Sequence, residues 1–61
     1  MLLIYADGAS RGNPGPAAIA VKIMDGAGVV VERRSKFIGK RTNNEAEYEA
    51  LNLGLSMARA L

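Results

Sequence analysis

The hydrophobic pattern of the chain changes its period once, at Thr42, and this change limits the folds that the chain can adopt. Before Thr42 the pattern favours β-strands, most clearly where Ile19, Val21 and Ile23 alternate with smaller or charged residues. After Thr42, residues 46–61 are rich in Ala, Leu and Met, which are good helix formers. The pattern therefore predicts a set of strands followed by one helix.

Three segments before Thr42 are predicted to be strands. Residues 2–6 form a continuous apolar run, which is typical of a central strand covered on both faces. The glycines and prolines of residues 8–16 predict a loop, so the second strand is expected to start at Ala17. Residues 25–28, Asp-Gly-Ala-Gly, predict a hairpin turn, after which residues 29–38 return as the third strand.

The helix start is predicted by Thr42 and Glu45, which have the spacing of a capping box. Gly54 costs roughly 1 kcal/mol relative to alanine inside a helix, so close packing on a neighbouring element is the expected reason for it. Helical spacing predicts that one stripe faces the sheet, and this stripe contains Glu47, Ala50, Leu51, Gly54, Ala58 and Leu61.

A chain of 61 residues is expected to fold as one small domain, residues 1–61, with a marginal core. It contains neither cysteine nor histidine, which excludes disulfides and makes a zinc cluster implausible, so self-association is the remaining way to stabilise the core. The apolar N-terminal run is too short for a membrane span or a signal-peptide core. We therefore expect a soluble, cytoplasmic protein that does not associate with membranes.

Positive charge is concentrated in one short stretch, although the net charge is only +2. Five of the eight basic residues lie in residues 33–41. Such a stretch can bind phosphates, which favours a nucleic-acid partner. It can also be the solvated edge strand of a sheet, on which charges prevent aggregation. Composition alone favours the second interpretation.

Asp7 closes the first apolar run, and Glu47 lies in the first turns of the predicted helix. An acid at the end of a strand and an acid near the start of a helix that packs on that strand can converge. Two carboxylates close together raise the pKa of one of them unless a cation lies between them. Their hard oxygen atoms suit Mg²⁺ or Mn²⁺. The alternative is local: Asp7 starts a turn and Glu47 stabilises the helix N-terminus.

Four motifs occur in a fixed order: Tyr5-Ala-Asp-Gly-Ala-Ser10, Asn13-Pro-Gly-Pro16, Thr42-Asn-Asn44 and Glu47. With a hairpin between them, they resemble the N-terminal half of type 1 ribonucleases H, over residues 3–58. The chain is most similar to the bacterial and archaeal members that have no basic protrusion. The resemblance implies an α/β, ribonuclease H-like half-fold, in which a three-stranded antiparallel sheet is followed by one helix and completed by self-association.

Members of this family cut the RNA strand of an RNA/DNA hybrid with two Mg²⁺ (or Mn²⁺) ions held by four carboxylates, on a five-stranded sheet of order 3-2-1-4-5. The resemblance implies that Asp7 and Glu47 are catalytic residues and the first two metal ligands. The third and fourth family ligands have no counterpart among the remaining acids, which are Asp25, Glu32, Glu45 and Glu49.

Substrate contacts are also implied by the resemblance. The residues that match positions touching the RNA strand, largely through its 2′-hydroxyls, are Ser10, Gly12, Asn13, Asn43 and Asn44. Lys40 and Thr42 match positions that bind a phosphate of the DNA strand. For the asparagines, helix capping and turn formation are the alternative explanation.

Enzymatic activity of the chain is left open by the sequence, and three hypotheses follow. In the first, a homodimer joins two half-sites and cleaves hybrids slowly. In the second, the chain is a fragment that becomes active when the missing half is supplied. In the third, it is a non-catalytic module for nucleic-acid binding or assembly.

Overall fold

The computed structural model describes all 61 residues and contains three strands and one helix. These are β1 (Leu2–Ser10), β2 (Gly15–Asp25), β3 (Val30–Arg41) and α1 (Asn43–Ala60). The strands form one sheet of order β1-β2-β3, in which both neighbouring pairs are antiparallel. The predicted order of three strands and a helix is therefore confirmed.

The strands are longer than the sequence predicted, and the loop between the first two is shorter. β1 continues through Ser10 and β2 begins at Gly15, so that only residues 11–14 are irregular. The prediction of a loop over residues 8–16 was wrong at both ends. Pro16 is tolerated because it lies near the start of β2, where proline is allowed in a sheet. Its carbonyl oxygen accepts a 2.8 Å hydrogen bond from the Arg11 amide.

The position of β1 differs from what its apolar run alone predicted, although it agrees with the half-fold that the resemblance implied. β1 pairs only with β2 and forms an edge of the sheet, whereas its apolar composition predicted a central strand covered on both faces. Leu3 is 40% exposed and Tyr5 is 54% exposed. The reason is that α1 covers a single face of the sheet, so β1 has an uncovered face and an unpaired edge.

The hairpin between β2 and β3 forms where it was predicted. The amide of Asp25 donates to the carbonyl of Val29 at 2.9 Å, and the Asp25 carboxylate accepts from the amides of Ala27 and Val29. Gly28 has a φ of 85°, a conformation that glycine adopts without strain. Asp25 is therefore a turn residue.

The core lies between α1 and one face of β2, which contributes Ala17, Ile19, Val21 and Ile23. The helix residues buried there are Ala46, Ala50, Gly54 and Met57. The predicted stripe was therefore partly wrong, because Glu47, Leu51 and Leu61 are exposed.

Close approach of the helix explains this difference. A β-carbon on Gly54 would lie 2.9 Å from Cγ2 of Ile4, so only small residues fit in the middle of the contact and the larger leucines lie beside it. The close packing predicted at Gly54 is confirmed. No helix of the chain has the length and apolar character required to cross a membrane.

Candidate active site

Asp7 and Glu47 line the same open groove between β1 and the N-terminal half of α1. The groove has a volume of about 510 Å³, and its other walls are Ala6, Asn44, Tyr48 and Leu51. Both carboxylate residues are exposed, so an ion or a substrate in solvent can reach them. The two acids that were predicted to converge therefore line one groove in the fold.

Gly8 allows β1 and α1 to approach closely beside this groove. It is buried, and a β-carbon on it would lie 2.2 Å from the carbonyl oxygen of Ala46 and 2.9 Å from the amide nitrogen of Glu47. The strand residue that follows Asp7 therefore touches the helix backbone directly before Glu47. A glycine inside a strand is a known sign of such a close backbone approach.

A capping box fixes the start of α1. The Thr42 hydroxyl accepts from the Glu45 amide at 3.1 Å, and the Glu45 carboxylate accepts from the Thr42 amide at 2.8 Å. The hydrogen bond that the Thr42 amide donates to the Glu45 carboxylate lowers the pKa of Glu45 most, the Thr42 hydroxyl beside that carboxylate lowers it further, and the charge of Arg41 acts in the same direction. The predicted cap is confirmed, and Glu45 is thereby occupied at the helix start.

The loop after β1 is hydrogen-bonded to the first residue of α1. The side-chain oxygen of Asn43 accepts from the Ser10 amide at 2.7 Å, and the side-chain oxygen of Asn13 accepts from the Asn43 amide at 2.9 Å. The Ser10 hydroxyl lies 3.0 Å from the same Asn43 oxygen and 2.6 Å from the Gly12 carbonyl. Four of the five residues predicted to contact RNA therefore form one connected cluster.

The orientation of both asparagine amides follows from these contacts. A backbone N–H can only donate, so the atoms facing Ser10 and Asn43 must be the side-chain oxygens. The side-chain nitrogens of Asn13 and Asn43 make no hydrogen bond within the chain. In each asparagine the side-chain oxygen therefore has a structural role, whereas the side-chain NH₂ group is an unused donor.

The other predicted contact residues lie around this cluster. Asn44 lines the groove with Asp7 and Glu47. Lys40 is exposed near the end of β3, opposite Pro16, and makes no salt bridge. Its neighbour Arg41 instead forms a 2.5 Å salt bridge with Glu49, which joins β3 to α1.

The groove contains two carboxylates and no larger cluster of metal-binding side chains. No group of three or more His, Cys, Asp or Glu residues is close enough to hold a metal ion. The four other acids have different surroundings: Asp25 is in the hairpin turn, Glu32 is in a separate hollow on β3, Glu45 is in the cap and Glu49 is in the salt bridge. The fold therefore brings no further carboxylate to Asp7 and Glu47.

Two groove residues, Tyr48 and Leu51, were missed by the sequence analysis. Their signal is present in the sequence, because Asn44, Glu47, Tyr48 and Leu51 have the i, i+3, i+4, i+7 spacing of one helix face. Tyr48 is 66% exposed, and so it presents an aromatic ring beside the two acids.

Similar proteins were found by sequence and by structure. Ribonuclease HI of Halobacterium salinarum is 52% identical over 54 residues, which are 88% of this chain and 27% of that protein. Ribonuclease HI of Streptomyces coelicolor is 49% identical over 45 residues, 74% of this chain and 20% of that protein. The chain thus spans about a quarter of the length of these relatives.

Among solved structures, LC11-RNase H1 in complex with an RNA/DNA hybrid matches 98% of this chain and 44% of its own, with 48% identity and a TM-score of 0.94. RNase H1 of the halophilic archaeon Halobacterium salinarum matches 97% of this chain and 45% of its own, with 47% identity and a TM-score of 0.93. The RNase H family model matches residues 1–60. This chain therefore belongs to the ribonuclease H family.

Proposed function

We propose that this chain forms the part of a ribonuclease H site that binds the RNA strand of an RNA/DNA hybrid and that supplies two metal ligands, Asp7 and Glu47. The observation that supports this most strongly is the shared groove of these two acids, although they are far apart in sequence. The solved relative LC11-RNase H1, which has the same fold over this region, was crystallised with an RNA/DNA hybrid.

The donors in the groove fit a hard divalent cation. Asp7 and Glu47 offer carboxylate oxygens, which Mg²⁺ and Mn²⁺ prefer, and both are open to solvent. Mg²⁺ usually keeps several waters and binds through one or two carboxylates together with phosphates of the substrate. When bound, such an ion makes water more acidic and stabilises charge on a leaving oxygen. The role of Asp7 and Glu47 is to hold the ion beside the substrate phosphate.

The free side-chain NH₂ groups of Asn13 and Asn43 are suited to recognising the RNA strand. Their side-chain nitrogens are donors without a partner, and a 2′-hydroxyl oxygen is an acceptor that DNA lacks. The hydrogen bonds to Ser10 and Asn43 amides hold both donors in place before the substrate arrives. Gly12, with a φ of 77°, lets the loop turn without a side chain on the substrate side. Asn44 adds a donor inside the groove itself.

Lys40 and Thr42 are proposed to bind a phosphate of the DNA strand. Lys40 is exposed and has no carboxylate partner, so its charge is available. The Thr42 hydroxyl accepts from the Glu45 amide, and its single proton, which faces the Glu45 carboxylate in the free chain, turns to a phosphate oxygen when the DNA strand binds. Thr42 therefore caps the helix and can bind an anion with the same group.

Self-association is part of the proposal, and a dimer is favoured. β1 leaves one edge of the sheet unpaired, and an exposed apolar edge of this kind tends to pair with another strand. With two carboxylates in each groove, we expect cleavage by this chain alone to be weak or absent. The alternatives are a binding or assembly module without catalysis, and a fragment that needs its missing half.

The metal proposal is tested by titrating Mg²⁺ and Mn²⁺ while recording NMR spectra of the backbone and the carboxylates. We expect Mg²⁺ to shift the Asp7 and Glu47 signals and Mn²⁺ to broaden them. Asp7→Asn is expected to remove both effects, whereas Glu32→Gln, an acid of β3 outside the groove, is expected to preserve them. Unchanged spectra in a folded sample would refute metal binding at this site.

The substrate proposal is tested separately, by measuring the affinity for an RNA/DNA hybrid in EDTA and then cleavage in Mg²⁺. Binding that is tighter for the hybrid than for the same DNA duplex, and that weakens with salt, is expected from 2′-hydroxyl and phosphate contacts. Equal affinity for both duplexes would show that the asparagine cluster does not read RNA. Brisk cleavage that Asp7→Asn abolishes would contradict the expected weak activity.

A further inference from the structure

Two neighbouring cations at the end of β3, Lys40 and Arg41, have opposite surroundings. Lys40 is exposed and has no carboxylate partner. Arg41 is half-buried and makes the only salt bridge of the chain, in which its Nε lies 2.5 Å from a carboxylate oxygen of Glu49. The structure of β3 just before these residues explains the difference.

β3 contains one extra residue shortly before the two cations. Ala18 of β2 is opposite Phe37 and its neighbour Ala17 is opposite Gly39, so Ile38 has no partner on β2. Gly39 has a φ of 82°, a conformation that glycine adopts without strain. An extra residue of this kind is a β-bulge, which bends the strand and changes the direction of the side chains that follow.

The bulge determines the face of the sheet on which each cation lies. Beyond it, Lys40 is opposite Pro16, on the face away from α1, and Arg41 is opposite Gly15, on the face that α1 covers. Strict alternation from Phe37 without the extra residue gives the reverse arrangement. The register of β1 places Asp7 on the same face as Lys40. The bulge therefore puts the unpaired cation on the side of the sheet where the first proposed metal ligand lies.

The Arg41 side chain holds this arrangement from the α1 side. Its Nε donates to the Glu49 carboxylate, and its Nη1 donates to the carbonyl oxygen of Lys40 at 3.0 Å. One guanidinium thereby joins the helix to the backbone of the residue that carries the free cation. Because the side chains of this ion pair are 38% and 37% exposed, it contributes little to stability, and its main effect is expected on the orientation of Lys40.

We propose that Arg41 is a positioning residue for hybrid binding: together with Glu49 and the bulge at Ile38, it directs Lys40 toward a phosphate of the DNA strand. From a strand spacing of about 4.8 Å and a rise of about 3.3 Å per residue, Lys40 and Asp7 are roughly 16 Å apart, too far to bind one phosphate together. This separation fits contacts with the two strands of one duplex. The inference rests on the proposed role of Lys40 and goes beyond it, because neither Arg41 nor Glu49 touches the substrate in this role.

The affinity for an RNA/DNA hybrid in EDTA tests the salt bridge by the sign of the change. Glu49→Ala removes a negative charge, so electrostatics alone predicts tighter binding of a polyanion, whereas a misdirected Lys40 predicts binding that is at least about threefold weaker. We expect the weaker binding. Glu32→Ala is the matched control, since it makes the same change of charge on β3 outside the salt bridge, and its affinity is expected to be equal or higher. Unchanged or tighter binding by Glu49→Ala would overturn the proposal.

A double-mutant cycle separates positioning from a general loss of structure. Lys40→Gln is expected to weaken hybrid binding about fivefold and to reduce the slope of log affinity against log salt by about 0.9, the value of one phosphate contact. In that background Glu49→Ala is expected to have no further effect, because the residue through which it acts is gone. Equal losses in both backgrounds would show that Glu49 acts through the fold, and the positioning role alone would be wrong. If Lys40→Gln binds as tightly as the unaltered chain, the proposed phosphate contact itself fails, and the positioning role fails with it.

Two variants of Gly39 test the bulge. A β-carbon at this position meets only Nη1 of Arg41, at 3.9 Å, so the backbone conformation and not space limits the choice of residue. Asparagine tolerates a positive φ, whereas a β-branched residue does not, so Gly39→Val is expected to weaken hybrid binding at least about threefold more than Gly39→Asn does. Circular dichroism identifies any variant that is unfolded. Equal affinities of two folded variants would show that the bulge has no part in directing Lys40.

Discussion

The α-carbon of Gly8 lies so close to α1 that a β-carbon on it would stand 2.2 Å from the carbonyl oxygen of Ala46. This contact joins the strand residue after Asp7 to the helix residue before Glu47. It is a contact between backbones, so no side chain can rotate to relieve a clash. The close approach of the strand backbone after Asp7 to the helix backbone before Glu47 therefore requires a glycine at position 8.

Gly8→Ala is accordingly expected to destabilise the fold by about 3 kcal/mol, the upper part of the range for overpacked sites. It is also expected to separate Asp7 from Glu47 and to weaken Mg²⁺ binding beyond what the stability loss explains. Urea denaturation and the metal titration measure the two effects. Gly26→Ala is the control, since its nearest neighbour is 3.9 Å away, and a similar loss there would show that glycine flexibility rather than contact is responsible.

The N-cap of α1 supports the same groove, because Asn43, Asn44 and Glu47 all follow it within the first turns. Thr42→Ala removes the hydroxyl that accepts from the Glu45 amide, and we expect a loss of about 1 kcal/mol of stability. Thr42→Ser preserves the hydroxyl and is expected to remain within a few tenths of a kcal/mol of the unaltered chain. Equal stability of the alanine and serine variants would show that the cap contributes nothing.

The pH dependence of stability should report the Glu45 carboxylate. Its pKa in the folded chain is below the ordinary value of 4.5, because it accepts from the Thr42 amide and lies beside the Thr42 hydroxyl. A lowered folded pKa adds stability that is fully present above the unfolded pKa and is lost as the pH falls through the folded pKa. The difference in denaturation midpoint between the unaltered chain and Glu45→Gln should therefore be largest above about pH 5 and shrink toward pH 3. A difference that is constant with pH would contradict this assignment.

Most of the architecture could be predicted from local signals. The alternation of Ile19, Val21 and Ile23 predicts a strand with one buried face, and the pair Thr42 and Glu45 predicts the helix start, because both depend on residues close in sequence. The hairpin at Asp25 is local in the same sense. Each of these features is determined by short-range sterics and hydrogen bonds, and each is found in the fold.

Features that depend on contacts between elements were harder to predict. Which helix face is buried depends on how closely α1 approaches β1, and the stripe predicted from helical spacing was turned toward Glu47 and Leu51, whereas the buried face also includes Ala46 and Met57. The edge position of β1 depends on which strands are present beside it and not on its own composition. In the site, Asp7 and Glu47 could be paired from the order of motifs. Helical spacing alone places Tyr48 on the face of Glu47, but only the orientation of α1 shows that this face borders the groove.

One isosteric substitution can separate the acceptor role of the Asn43 side chain from its donor role. Asn43→Asp keeps an oxygen that accepts from the Ser10 amide, and it adds a negative charge at the positive end of α1, so stability is expected to stay within about 0.5 kcal/mol of the unaltered chain. The same change removes the side-chain N–H donors and places a charge near the phosphates. Affinity for an RNA/DNA hybrid in EDTA is therefore expected to fall at least about tenfold.

Asn43→Ala is the informative comparison, because it removes the acceptor as well as the donor. We expect it to lower the free energy of unfolding by about 1 kcal/mol, because the Ser10 amide loses its hydrogen-bond acceptor. We also expect it to weaken hybrid binding, because the side-chain N–H donors are lost. If Asn43→Asp binds the hybrid as tightly as the unaltered chain does, the amide nitrogen has no role in substrate binding. Asn43 would then serve only to attach the loop after β1 to the helix, and recognition of the RNA strand would depend on Asn13 and Asn44.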